Sequence, residues 1–519
     1  MEALALRSSN SIKNFIVGIV GHLITLVLGF VSRYLFLFFL SVEYLGASGL
    51  FSNILTMLSL AELGVGTAIV YSLYKPLAEN NKDEILALMN LFKRVYRVIG
   101  IFVLVAGTAL LPFLGVFIKD DKGIDNIQLI YFLFVCNTAV SYFFSYNRSL
   151  ITADQKNYKL VKIDYAYKVL HILIPIAALA LTRNYIVYLI VQMSVTFIWN
   201  MIVFFKVRKN YPVLREKRKV KLRPEVKKAI LKNTAALMIY KVAVVVTSGT
   251  DNMLISYFFG LTAVGLCSNY TLVLNSMTSL LSQGINAITA SIGNLSSTEN
   301  DDKKYSIFKV VFFVNFWIYS FACIGLYFCM NPLIGAVFGK DYVIGYDIII
   351  PMIVSFFLLG MQGATSVFRD AQGLFWQGKL RPIAQTIVNL GSSILLAKLT
   401  GNVGAIFWGT FLSRLLTIFW FDPYVVHKHG FHKPLTPYFK RYAVYVLSTL
   451  TVFAICFFVT KYITVDNLWI ELIINVIICT VTVNGAFLLF FHRTAEFTYI
   501  KKILLLNFNN LKRNLKREG

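Results

Sequence analysis

Ionisable side chains standing inside long apolar stretches are the residues of this chain best placed to do chemistry. Arg33 lies in the first stretch, and His22, eleven residues earlier, returns to within about 20° of the same helical face. Glu62 sits in Ala61-Glu62-Leu63-Gly64-Val65-Gly66, where two glycines allow close packing or a kink. Asp164, Lys168 and His171 share one face at i, i+4 and i+7. Lys241 and Asp251 share a later stretch, and Arg414 stands in another. A charge at bilayer depth costs a few kcal/mol and therefore faces a polar cavity or a partner. Asp164 and Lys168 either neutralise each other or border such a cavity, and Glu62 either pairs with a cation of its own half or serves coupling. His22 and His171 read first as structural histidines. Arg33, Lys241 and Arg414 have no acid close by on their own helix face, so together with Lys168 they imply a cationic cavity. A guanidinium binds phosphate oxygens in bidentate fashion. The matching cargo is an anion such as a phosphate or pyrophosphate head group, with Asp251, Glu62 and His22 as candidates for ion coupling.

Catalytic patterns point elsewhere. No GxSxG, Walker A, HExxH or DxD sequence occurs, and no paired carboxylates stand in an obvious loop. The expectation is a non-enzyme without a cofactor. A membrane polysaccharide polymerase or glycosyltransferase is the rival from another class, and it would be expected to carry a long loop of acids and arginines. The longest connection here is basic and has no acid cluster. Cys136, Cys267, Cys323, Cys329, Cys456 and Cys479 lie within or at the edge of apolar runs, without CxxC spacing, and read as small core residues.

Positioning such residues falls to a membrane-spanning framework. Of the 519 residues 57% are apolar and 14% charged, which excludes a soluble globular enzyme, since ordinary soluble domains are about 25% charged. One spanning helix needs about 20 apolar residues, and stretches of that size fall at about 14–39, 47–73, 95–118, 128–150, 161–182, 185–206, 233–258, 262–291, 306–330, 346–367, 382–400, 403–425, 439–461 and 468–491. The first is too long for a signal-peptide core. Lys and Arg concentrate after the even-numbered stretches, most densely in 207–232, so the formal charge of +25 reads as topology rather than as nucleic-acid binding. Both termini are then expected in the cytoplasm.

An internal echo divides the chain. Gly49-Leu50-Phe51-Ser52-Asn53 opens the second stretch, and Gly265-Leu266-Cys267-Ser268-Asn269 opens the eighth. The expected fold is an all-α polytopic membrane protein of about fourteen transmembrane helices, two six-helix lobes in parallel repeat plus two extra helices. Its parts are a first lobe at 1–206, a basic cytoplasmic linker at 207–232, a second lobe at 233–430, helices thirteen and fourteen at 431–492, and a basic cytoplasmic tail at 493–519. In the tail Ile500, Leu504, Phe508, Leu511 and Leu515 recur at helical spacing among lysines and arginines, the pattern of an amphipathic helix on the inner leaflet or of a frayed basic end.

The stretch Gly29 to Asn81, with Ser32-Arg33, Tyr44-Leu45-Gly46, Ala61-Glu62-Leu63-Gly64 and Tyr74-Lys75-Pro76-Leu77-Ala78, resembles the start of the polysaccharide flippases, the O-antigen and capsule exporters of the multidrug/oligosaccharidyl-lipid/polysaccharide (MOP) superfamily. Thr250-Asp251-Asn252 through Ser268-Asn269-Tyr270 looks like the opening of that family's second lobe. Phe368-Arg369-Asp370-Ala371-Gln372-Gly373-Leu374-Phe375 is similar to the loop after its tenth helix. The resemblance implies two six-helix bundles with two extra helices, which move an undecaprenyl-pyrophosphate-linked oligosaccharide from the inner to the outer leaflet of the bacterial plasma membrane. Arg33, Glu62 and Asp251 lie in the matching stretches, whereas Lys168, Lys241 and Arg414 rest on the cavity argument alone. Implied partners are the lipid-linked oligosaccharide, membrane lipids and other polysaccharide-assembly proteins, with no nucleic acid. Multidrug export within the same superfamily is the alternative, although a cationic drug would prefer acidic cavity residues.

Overall fold

A computed structural model describes residues 25–62, 65–118, 124–216, 249–374 and 380–502, apart from isolated positions in these ranges and with a few positions between and beyond them. His22, Lys241 and most of the tail lie outside the described residues. Contacts divide the chain into two compact units, Met1–Ser268 and Asn269–Gly519. Among the described residues nine helices are long and apolar enough to cross a membrane, ten if one bent pair counts as a single span. Helical residues occur in every one of the stretches read from the sequence.

The first unit contains α1 (Val27–Phe39), α2 (Val42–Leu58), α3 (Val65–Ala78), α4 (Lys82–Ala109), α5 (Ile127–Ala153), α6 (Tyr158–Thr182), α7 (Tyr185–Asn210) and α8 (249–259). Helix ends are set locally. Asn81 accepts from the Glu84 backbone N–H at 3.1 Å while its amide reaches the Glu84 carboxylate, and Asn184 likewise caps α7. Two cores result. One gathers Leu88, Phe92, Tyr96, Tyr142 and Leu150, and the other gathers Phe36, Phe51, Tyr131 and Leu261. The second predicted stretch, read as one run, is interrupted: α2 ends at Leu58, and a single 3₁₀ turn, Ser59–Glu62, precedes α3.

Helix α9 (Leu261–Thr298) begins in the first unit and continues into the second. At its start backbones approach closely, because a Cβ on Gly46 would run into the Leu261 carbonyl and one on Gly265 into the Val42 carbonyl.

The second unit continues with α10 (Asp301–Phe338), α11 (Tyr346–Met361), α12 (Gly363–Ala371), α13 (Arg381–Thr400), α14 (Gly404–Leu416), α15 (Ile418–Val426), α16 (Thr436–Lys461) and α17 (Leu468–Phe491). Its core is aromatic, with Phe308, Phe312, Phe316, Tyr438, Tyr445 and Phe487 interleaved and the Phe316 and Tyr445 rings stacked at 4.1 Å. A spanning helix tolerates proline only if neighbours satisfy the carbonyl that the missing N–H leaves free. Sequence reading ended the ninth helix near residue 330, yet α10 runs through Pro332 to Phe338. The reason is Asn475 of α17, whose amide donates to the freed Phe328 carbonyl at 3.0 Å. Outside the helix bundle's core, large apolar side chains such as Leu181, Leu399 and Leu489 are more than 70% exposed, a surface suited to hydrocarbon rather than water.

Beyond α17 the chain turns and residues 495–502 are helical again. This segment docks on the second unit: Glu496 pairs with Arg441, and Phe497 stacks on Trp317.

Candidate substrate and coupling residues

Arg33 is carried by α1 and is half-buried. Its Nη1 donates to Ser268 Oγ at 3.1 Å, and Ser268 in turn donates to the Gly265 carbonyl. The guanidinium thus reaches the second copy of the internal echo.

Glu62 ends the 3₁₀ turn between α2 and α3, where a helix interruption leaves backbone groups that packing and side chains must satisfy. Tyr96 of α4 donates to Glu62 Oε1 at 2.5 Å. Gly66 makes this reach possible, since a Cβ there would stand 2.9 Å from the Tyr96 hydroxyl. Tyr96 is buried and lies beside Tyr142, with ring centroids 6.0 Å apart. Among the described residues a phenol, not a lysine or arginine, is therefore the neighbour seen on this carboxylate.

Asp251 is half-buried on α8. That helix lies against α2: Gly249 faces Met57, Asn252 approaches Gly49, and Ser256 donates to the Phe117 carbonyl at 2.6 Å. Lys168 is exposed on α6 with its ammonium over the Tyr165 ring at 5.4 Å. The suggested Asp164–Lys168 pair gives way to another. Arg148 of α5 grips both Asp164 oxygens at 3.0 and 2.7 Å, because a guanidinium fork fits a carboxylate better than an ammonium one turn away. Arg148 is thus a cross-helix clamp.

In the second unit Arg414 of α14 donates to both the carbonyl and the hydroxyl of Ser355 on α11, at 2.9 and 2.6 Å. The first unit therefore holds Arg33, Glu62, Asp251 and Lys168, and the second holds Arg414. One centre was missed. Asp422 of α15 is 1% exposed and binds Arg369 at 2.8 Å and also Arg381, while Arg369 reaches Asp370 as well. The signal was present: Asp422 is an ionisable residue inside an apolar run, and Arg369 lies in a stretch already singled out.

Residues 11–292, more than half of the chain, match the polysaccharide biosynthesis protein family. The chain belongs to that family, as the resemblance implied. Its fold is shared with solved transporters of the MOP superfamily. The lipid II flippase MurJ in an inward closed conformation superposes with a TM-score of 0.66 at 15% identity, over 92% of this chain and 99% of that one. An inward-facing multidrug resistance MATE family transporter gives 0.63 at 12% identity, over 79% and 99%. A MOP superfamily transporter from Pyrococcus furiosus, whose binding pocket has reverse polarity, gives 0.52 at 14%, over 80% and 96%. No curated protein sequence matches. The protein is a multi-pass membrane protein with a transporter fold.

Proposed function

We propose that the protein is a flippase that carries an undecaprenyl-pyrophosphate-linked oligosaccharide from the cytoplasmic to the outer leaflet of the bacterial plasma membrane by alternating access. Its product feeds a cell-surface polysaccharide such as O-antigen, lipopolysaccharide or capsule. The observation that carries this reading is the match of residues 11–292 to a polysaccharide biosynthesis family on a chain that has the fold of a lipid II flippase. Arg33, Lys241 and Arg414, with Lys168, hold the pyrophosphate; Asp251, Glu62 and His22 couple transport to an ion gradient. Partners are the lipid-linked oligosaccharide, surrounding lipids and polysaccharide-assembly proteins.

The test is movement of a labelled polyprenyl-pyrophosphate oligosaccharide in proteoliposomes, read with an impermeant quencher. Faster loss of protected label than in empty liposomes, abolished by Arg33→Ala in protein that still reconstitutes, supports the reading. No acceleration with folded protein and several glycans overturns it and favours multidrug export, the alternative suggested by the multidrug resistance MATE family transporter that shares the fold.

A further inference from the structure

Two spans of the second unit, 346–371 and 404–431, are each interrupted once, the first at Gln362 between α11 and α12 and the second at Thr417 between α14 and α15. Cross-ties between the two spans fall on either side of these points. On the N-terminal side Arg414 of α14 holds the Ser355 carbonyl and hydroxyl of α11. On the C-terminal side Arg369 of α12 and Arg381 at the start of α13 both hold Asp422 of α15. Level with the interruptions the tie is longer: the Gln362 amide donates to the Phe419 carbonyl at 3.4 Å, the carbonyl that Pro423 leaves without an in-helix donor.

Polar satisfaction differs on the two sides. Among the described residues Asp422 Oδ1, Arg381 Nε, both amide atoms of Gln372 and His427 Nε2 are buried without a hydrogen-bond partner, and all lie on the C-terminal side. No such atom occurs on α11 or α14. An element whose buried polar atoms are incompletely bonded opens more readily than its fully bonded neighbour.

We propose that α12 and α15, riveted by Asp422 between Arg369 and Arg381, form one rigid flap that pivots at Gln362 and Thr417 against the α11–α14 pair. The paired breaks supply a matched hinge, the buried carboxylate makes the two helices move together, and Asp422 Oδ1 and Thr365 Oγ1, buried without a hydrogen-bond partner on the flap itself, give it a second arrangement to adopt. This inference is independent of the cargo.

Amide hydrogen exchange on the full-length protein in lipid nanodiscs tests it. In the wild type, residues 363–371 and 418–426 should exchange at a common rate, faster than 346–361 and 404–416. Asp422→Asn should speed exchange in both flap helices by about tenfold and leave α11 and α14 unchanged. Arg369→Gln, which keeps the Arg381–Asp422 pair, should give a smaller rise in the same two helices and replaces the first variant if that fails to fold. A response in one flap helix alone, an equal response in all four helices, no response, or unequal wild-type rates in the two flap segments each overturns the proposal.

Discussion

Replacing Asn475 with leucine removes the donor to the Phe328 carbonyl while keeping the number and branching of the side chain's heavy atoms. In the native protein that carbonyl has lost its in-helix partner to Pro332, and Asn475 supplies the substitute at 3.0 Å from a position only 7% exposed. An unsatisfied buried carbonyl costs about 1–3 kcal/mol. Measured hydrogen bonds between membrane helices average about 0.6 and reach about 1.7 kcal/mol, so Asn475→Leu should destabilise the protein by about 1–2 kcal/mol. The discriminating variant is Pro332→Ala, which restores an N–H able to bond Phe328 within α10. In the double variant the carbonyl no longer needs Asn475, and the loss should fall at least about 1 kcal/mol short of the sum of the single losses. Reversible unfolding in mixed detergent micelles measures all four proteins. Losses that add within about 0.3 kcal/mol refute the reasoning, because the asparagine and the proline would then act independently.

Two other perturbations follow from contacts described above. Gly46→Ala places a methyl against the Leu261 carbonyl, whose carbon lies 2.8 Å from the Cβ position, and should cost about 1–3 kcal/mol by forcing α2 from the start of α9; an unchanged thermal midpoint in detergent would contradict the close approach. At Glu496, burial pushes the carboxyl's pKa up, but the hydrogen bond from the Arg441 guanidinium, a backbone hydrogen bond and the positive charges of Arg441 and Lys309 together outweigh it and hold the group below its ordinary value. A carboxylate with a lowered folded pKa stabilises fully above its unfolded pKa and loses that contribution as pH falls through the folded one. Acidification from neutral pH through the carboxylate range should therefore release residues 495–502 to protease, and Glu496→Gln should remove that pH dependence.

The spanning framework was legible because apolar runs separated by basic loops leave few alternatives for a chain in a bilayer. Details set by tertiary partners were not. The interruption at Ser59–Glu62 carries no proline, and the passage of α10 through Pro332 depends on an amide 147 residues away. Among the functional candidates, sequence reading paired charges along a single helix. It therefore matched Asp164 with Lys168, whereas the observed partner, Arg148, lies 16 residues back on another helix. The same habit left Arg369 unpaired, its partner Asp422 being 53 residues on. Applying the search for ionisable residues in apolar runs to Asp422 would have found the clamp. Lys241 and His22 lie outside the described residues.

The proline-freed carbonyl of α10 also has a meaning in time. Phe328 is made 147 residues before Asn475, and at roughly 5–20 residues per second a ribosome needs about 7–30 s to cover that interval. For that period the carbonyl stands without its native donor. Helix α10 is therefore born incomplete, and α17, synthesised well after it, is what finishes it. Any product released before Asn475 lacks the group that makes a proline at this depth tolerable.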